Sequence, residues 1–407
     1  MSDVMKGVRV LEVAEHTFVP SASAILADWG ADVIKVEHAV RGDAMRGLVR
    51  SGVMPLTGGV HVINEHSNRG KRSIGIDIAN PQGHAVLLDL ARSCDVFLTN
   101  KLPHTLEKLG LDVATLREAN PDIVYVRGTA FGPRGPERER GGYDMTAFWC
   151  RAGNAASVTP RELDGVLSQP GPAWGDSVGG MTIAGGIAAA LFKRERTGET
   201  SVVDVSLLNA GAWALSGSIA LSLRTGNPWV TPMPGGMGAP SNPLVGIFGT
   251  SDGRYVALVM LQAFQYWADF CRHIGRPELA DDARFDTAEK LAANAAEAAE
   301  IVREAIASET LATWTERFAT LAGQWAPVQD SLEVAADPQV RANGYIARAA
   351  TSDGTEFELV ASPVQYDEQA TGTARAPEFN EHGDAILEAL GYDTERILAL
   401  KVAGAVT

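Results

Sequence analysis

Cysteine is scarce in this chain. Cys94, Cys150 and Cys271 are the only three in 407 residues, with no CxxC pair and no spacing that suits zinc, so a disulfide scaffold and a zinc-stapled module are excluded. Each is expected to be a small buried apolar residue, and a reducing cytoplasm is the expected location. Basic charge is also sparse: 35 Lys and Arg face 50 Asp and Glu, for a formal charge of −15. Nucleic acid and anionic membranes would be repelled at long range, so neither is an expected partner. The longest apolar run, residues 178–192, is interrupted by glycines and falls short of the ~20 residues a membrane helix needs. No membrane span is predicted, and Met1-Ser2-Asp3-Val4-Met5-Lys6 lacks the apolar core of a secretory signal.

Familiar catalytic signatures are missing too. The chain has no GxSxG elbow, no Walker lysine loop, no GxGxxG after its first strand and no HExxH among its histidines. Triad hydrolysis, nucleotide hydrolysis and zinc proteolysis therefore lose support, and no metal is expected.

What remains is an ordinary globular composition, 45% hydrophobic and 21% charged, at a length that suggests two domains. Short β-branched runs alternate with helical patterns through the first half. Strands are predicted at residues 8–13, 33–36, 73–77, 96–99, 123–127 and 201–206, with helices at 20–29, 81–93, 113–119 and 181–196. This alternation predicts an α/β large domain, with a largely parallel sheet and helices on both faces, over residues 1–224. A smaller α+β domain is expected over 225–330, starting with a hairpin around Asp252-Gly253 and continuing into alanine-rich helices. Residues 331–407 form a segment that returns to the large domain, with a second hairpin about Asp353-Gly354 and a terminal helix near 394–402.

Asp176 is the principal candidate for chemistry. It lies in Trp174-Gly175-Asp176-Ser177-Val178-Gly179-Gly180, at the mouth of a helix rich in small residues. One reading makes it a helix N-cap. The other makes it a nucleophilic carboxylate, with the Gly179 and Gly180 amides as oxyanion donors. The glycines Gly235, Gly236 and Gly238 read either as an interdomain linker or as a mobile flap. The cluster Arg69-Gly70-Lys71-Arg72-Ser73 reads either as a phosphate site or as a solvated loop. Phe18, Trp149, Trp174 and Met237 suggest an apolar acyl pocket.

Seven blocks, in order along almost the whole chain, carry a family likeness. The block Leu26-Ala27-Asp28-Trp29-Gly30-Ala31-Asp32-Val33-Ile34-Lys35-Val36-Glu37 resembles the N-terminal signature of the family III CoA-transferases, also called the CaiB/BaiF family. Asn68-Arg69-Gly70-Lys71-Arg72-Ser73-Ile74 is similar to its second block, and Gly142-Tyr143-Asp144 to a later one. Gly175-Asp176-Ser177 matches the place of the family's catalytic aspartate.

The resemblance implies an interlocked homodimer of two-domain protomers, each with a Rossmann-like large domain, and an acyl-CoA:carboxylate CoA-transferase. Coenzyme A would be a substrate rather than a permanently bound cofactor, and an acyl-CoA and a small carboxylic acid would be the small-molecule partners. Asp176 would pass through a mixed anhydride and an aspartyl-CoA thioester, shielded from water by the glycine flap. The CoA contacts implied are His16, Thr17, His38, Arg72, Ile76, Asn100, Lys101, Lys108, Tyr143 and Asp144. The rival on the same fold is an α-methylacyl-CoA racemase, which pairs the aspartate with a histidine. The matching position here is Tyr143, whose ordinary pKa of ~10 suits proton shuttling poorly, although His16 or His66 could stand in. An acyl-CoA binder without catalysis is the alternative of a different class.

Overall fold

The computed structural model describes residues 2–52, 56–232 and 242–407. The chain divides into two compact units: Met1–Thr231 with Pro338–Thr407, and Pro232–Asp337.

In the first unit, six parallel strands form one sheet in the order β3-β2-β1-β4-β5-β6: β1 (Arg9–Val13), β2 (Asp32–His38), β3 (Arg72–Ile76), β4 (Val96–Thr99), β5 (Val124–Thr129) and β6 (Val202–Ser206). Strands buried on both faces need apolar side chains at consecutive positions, which is why these runs were legible. Alternate residues divide the core. Val10, Val96 and Leu98 face the layer formed by α1 (Phe18–Asp28), whereas Leu11, Val13 and Phe97 face the opposite layer with Ile386, Leu387 and Ile397 from the C-terminal segment. The remaining helices up to residue 225 are α2 (Ala44–Arg50), α3 (Val62–Asn68), α4 (Pro81–Arg92), α5 (Pro103–Lys108), α6 (Val113–Ala119), α7 (Asn154–Val158), α8 (Trp174–Thr197), α9 (Leu207–Ala214) and α10 (Ser216–Thr225). A π-helical turn occupies Met145–Arg151.

The contact between α1 and α8 depends on missing side chains. A Cβ at Gly180 would lie 2.0 Å from Ser21 Oγ, one at Gly179 would lie 2.4 Å from the Phe18 ring, and one at Gly128 of β5 would lie 2.2 Å from Val19. At 24 residues α8 is long and apolar enough to cross a membrane by length and composition, which the interrupted run did not suggest. It carries Asp176 near one end and Lys193, Arg194 and Arg196 at the other, and its Ile183, Ala184 and Ile187 belong to the core beside α1.

In the second unit, strands Val245–Gly249, Tyr255–Val259 and Trp325–Pro327 make a three-stranded antiparallel sheet. Trp267, Phe270, Trp314 and Phe318 pack beneath it. In the C-terminal part of the first unit, antiparallel strands Ile346–Ala350 and Glu356–Val360 bracket the turn at Asp353-Gly354. Cys94 and Cys271 are buried, but Cys150 is exposed on the π-helical turn, contrary to expectation.

Candidate active site

The strand order reverses between β1 and β4, the place where an open parallel sheet leaves a crevice at its carboxyl edge. The loop leaving β1 is anchored there by buried charge. The β1–β2 register sets Glu12 beside Lys35, and Lys35 Nζ reaches Glu12 Oε1 and Asp43 Oδ2, each at 2.7 Å. Asp43 Oδ1 accepts the Met45 N–H at 2.8 Å and the His16 N–H at 3.1 Å. That second bond holds His16 in a left-handed backbone conformation, φ 66°, which is unfavourable for a residue with a Cβ. The imidazole meets the Tyr143 ring edge-on, 5.5 Å between centroids.

The basic cluster is neither a phosphate site nor a solvated loop. Arg69 pairs with Asp28 at 2.8 Å, Lys71 with Glu12 at 2.7 Å and Arg72 with Asp32 at 2.6 Å. Arg72 is thereby corrected as a CoA contact: it opens β3 at the amino edge of the sheet, the end opposite the crevice. Burial would raise Glu12, but Lys35 and Lys71 outweigh it and hold the carboxylate below its usual range. Burial pushes the Lys71 ammonium down to about 7.

Asp176 is not an N-cap. Its helix starts at Trp174, seven residues before the expected start, and the N-cap is Ala173 at φ 60° with no capping side chain. The cap comes from a distant residue: Asp144 Oδ2 accepts the Gly175 N–H at 2.9 Å. Gly175 permits this approach, since a Cβ there would lie 2.2 Å from Phe148 and 2.4 Å from Asp144 Oδ1. Asp144, expected among the CoA contacts, is thus a buried positioning group behind the nucleophile candidate. Burial, and then the Asp144 charge, push the Asp176 carboxyl up to about 7. This outweighs the helix N-terminus, which favours the anion.

The Gly179 and Gly180 amides lie beyond the first turn, where N–H groups bond back into the helix, and both residues face α1. Close packing is their role, not oxyanion binding. Gly235, Gly236, Gly238 and Met237 lie outside the described residues.

Two cavities occupy the crevice. The larger, about 610 Å³, is lined by Asp176, His16, Tyr143, Asn100 and Lys101 among others. The smaller, about 300 Å³, is lined by His38, residues 76–79 including Ile76, and Lys101. Glu15 and Lys101 belong to both walls and pair with each other. The Asn100 amide fixes the same loop, donating to Glu15 O at 2.7 Å and accepting the Glu15 N–H at 3.2 Å. His38 Nδ1 also accepts the Val40 N–H at 3.1 Å.

Thr17 is buried and Lys108 is exposed, and neither lines either of these two cavities. Of the aromatic residues expected at an acyl pocket, Phe18 lines the larger cavity, Trp149 is buried with its indole N–H on Leu167 O at 2.9 Å, and Trp174 is exposed. Sequence reasoning missed Phe131 and Leu207 in the wall and Asp43 behind His16. None sits in a local chemical pattern, although Leu207 directly follows a predicted strand. His66 lies 3.2 Å from Ser177 Oγ, whose hydrogen goes to Ala173 O at 2.8 Å, so the imidazole Nε2 is the donor. Burial, with Arg69 and Lys71 nearby, pushes His66 down to about 4, so it is neutral near pH 7.

Comparison with known proteins bears on the family and the fold. The model for CoA-transferase family III matches residues 5–383. The chain is 27% identical over 395 residues to (R)-2-hydroxy-4-methylpentanoate CoA-transferase of Clostridioides difficile, with 97% of each chain covered. It is 32% identical over 399 residues to succinate–glutarate CoA-transferase of Agrobacterium fabrum, with 95% of each covered. Among solved structures, a CaiB/BaiF family protein from Brucella suis superposes with a TM-score of 0.77 at 27% identity, covering 96% of this chain and 100% of that one. With a matching fold and a match over most of its length, this chain belongs to CoA-transferase family III.

Proposed function

We propose that the protein is an acyl-CoA:carboxylate CoA-transferase in which Asp176 is the nucleophile. The observation that carries this reading is a carboxylate in the wall of the crevice cavity, raised to about 7 by burial and by Asp144. A carboxylate of that basicity attacks more readily than an ordinary surface aspartate and is still substantially ionised at neutral pH.

The four steps balance. The Asp176 oxygen adds to the thioester carbonyl of the donor, the C–S bond breaks, and an aspartyl–acyl anhydride and CoA thiolate result. The thiolate attacks the aspartyl carbonyl, releasing the donor acid and leaving an aspartyl-CoA thioester. The acceptor carboxylate attacks that thioester, giving a new anhydride and thiolate. The thiolate then takes the acceptor's acyl group, and Asp176 returns as a carboxylate. Acyl activation is conserved throughout, and exclusion of water protects the intermediates. Tyr143, His16 and Asn100 border the reacting region, and Lys101, with His38 and Ile76 in the adjoining cavity, borders the extended CoA.

We also read the chain as a cytoplasmic enzyme and as one half of an interlocked homodimer. Support for a second copy comes from α10, which buries no residue in the single chain, and from Trp213 at 77% and Leu223 at 81% exposure. Light scattering tests the dimer; a monomer at micromolar concentration contradicts it.

A racemase would need a proton carrier across from Asp176, and His16 shares the cavity. Incubation with a panel of acyl-CoAs and free acids in D₂O, read by mass spectrometry, decides. New CoA thioesters without α-deuterium are the expected result. Deuterium at the α-carbon without acyl exchange establishes the racemase, and neither change leaves a binder.

A further inference from the structure

We infer that the acids exchanged are monocarboxylates with an apolar tail, aryl or branched alkyl, rather than dicarboxylates. The inference rests on the transferase reading and adds to it the chemical class of the substrate.

The larger cavity has two unlike sides. Glu15, Asn100 and Lys101 make a polar side at the border with the second cavity, where an extended CoA is most easily accommodated. The side formed by the end of β5 and the start of α9 is apolar, with Phe18, Ala130, Phe131 and Leu207. Phe18 lies directly beside the nucleophile's helix, its ring close against Gly179, and it is also near Gly128 of β5. An acyl group joined to Asp176 therefore has an apolar surface within reach of its tail.

Charge points the same way. The lysine and arginine in this wall, Lys101 and Arg140, pair with Glu15 and Glu137, and Arg140 also lies over the Phe131 ring at 5.3 Å. When the acceptor arrives, Asp176 carries CoA and is neutral, so the reacting carboxylate of the acid meets no anion at that residue. A second carboxylate has no such relief. It would lose its water against Phe18 and Phe131, and the described wall offers it no lysine or arginine without an acidic partner. Family membership does not decide this point, since one relative is named for a branched 2-hydroxy acid and another for two dicarboxylates.

The test uses the purified full-length enzyme with acetyl-, 3-phenylpropionyl- and succinyl-CoA as donors. The acceptors are 4-methylpentanoate, 3-phenylpropionate, succinate and glutarate, and kcat/KM is read from the CoA thioesters formed. The expected preference for the two monocarboxylates is about tenfold or more, and Phe131→Ala is expected to reduce it severalfold. Equal or better use of succinate or glutarate, by an enzyme that still requires Asp176, overturns this inference and leaves the transferase reading intact. Exchange with no acid overturns both. An unchanged preference in Phe131→Ala contradicts the role given to the apolar side.

Discussion

Asp144 caps the helix that carries Asp176 and at the same time raises that carboxyl's pKa. Its Oδ2 takes the Gly175 N–H at 2.9 Å, and its charge adds to burial in pushing Asp176 up to about 7. One side chain thus fixes the position of the nucleophile and raises its basicity. Because the reaction needs the ionised form, kcat/KM is expected to rise with pH through about 7. Asp144→Asn keeps an acceptor for the cap and removes the charge, so the acidic limb should move down by about half a unit or more. A limb that stays in place in a folded variant contradicts the coupling.

Asp176 should also cost stability. Between its ordinary value of 3.8 and about 7, the folded protein keeps a proton that the unfolded chain releases. Stability contributed by this group therefore falls as pH rises through that window and stays reduced above it. Asp176→Asn is expected to lose activity by roughly a thousandfold or more, and to gain about 1–3 kcal/mol of stability above pH 7 but little near pH 4. Urea unfolding at the two pH values checks this, and a variant that is less stable at pH 8 contradicts it.

The buried charges behind His16 predict a large structural effect. Glu12 bridges Lys35 and Lys71, both at 2.7 Å, and also accepts from Ser23. Glu12→Gln leaves two buried ammonium groups short of a counter-charge and should destabilise the protein by about 3–5 kcal/mol, read as a fall in the urea midpoint. A loss below about 1 kcal/mol would mean that the cluster rearranges around the change.

Two glycines of one helix should respond in opposite directions. A Cβ on Gly180 meets Ser21 Oγ at 2.0 Å, whereas one on Gly185 meets nothing within 4 Å. Gly180→Ala is expected to destabilise by about 1–3 kcal/mol through overpacking. Gly185→Ala should be neutral or stabilising by up to about 1 kcal/mol, from helix propensity. Thermal denaturation of the two variants side by side tests the close α1–α8 contact.

Much of the sheet was legible because its strands are short β-branched runs separated by helices, and β4 (Val96–Thr99) falls where that pattern places it. The start of α8 was not legible. Trp174-Gly175-Asp176 offers Asp176 as a local cap, whereas the actual cap is Asp144, 31 residues before Gly175 and adjacent only in the fold. Arg69, Lys71 and Arg72 misled for a related reason. Their partners Asp28, Glu12 and Asp32 belong to other elements, so a sequence window sees three cations and no counter-charge. His16, Asn100, Lys101, Tyr143 and Asp176 meet in one cavity wall, but the resemblance singled them out as a set, not their spacing.

The most direct test of the central claim follows oxygen. If an acceptor acid attacks an aspartyl-CoA thioester, one of its carboxylate oxygens becomes the bridge of the anhydride and remains on the aspartate when CoA departs with the acyl group. Turnover with an acid carrying heavy oxygen in its carboxylate, followed by peptide mass mapping, should therefore place the label on the peptide containing Asp176, and only when acyl-CoA is present. Product formation with no heavy oxygen on Asp176 after many turnovers would contradict its role as the nucleophile.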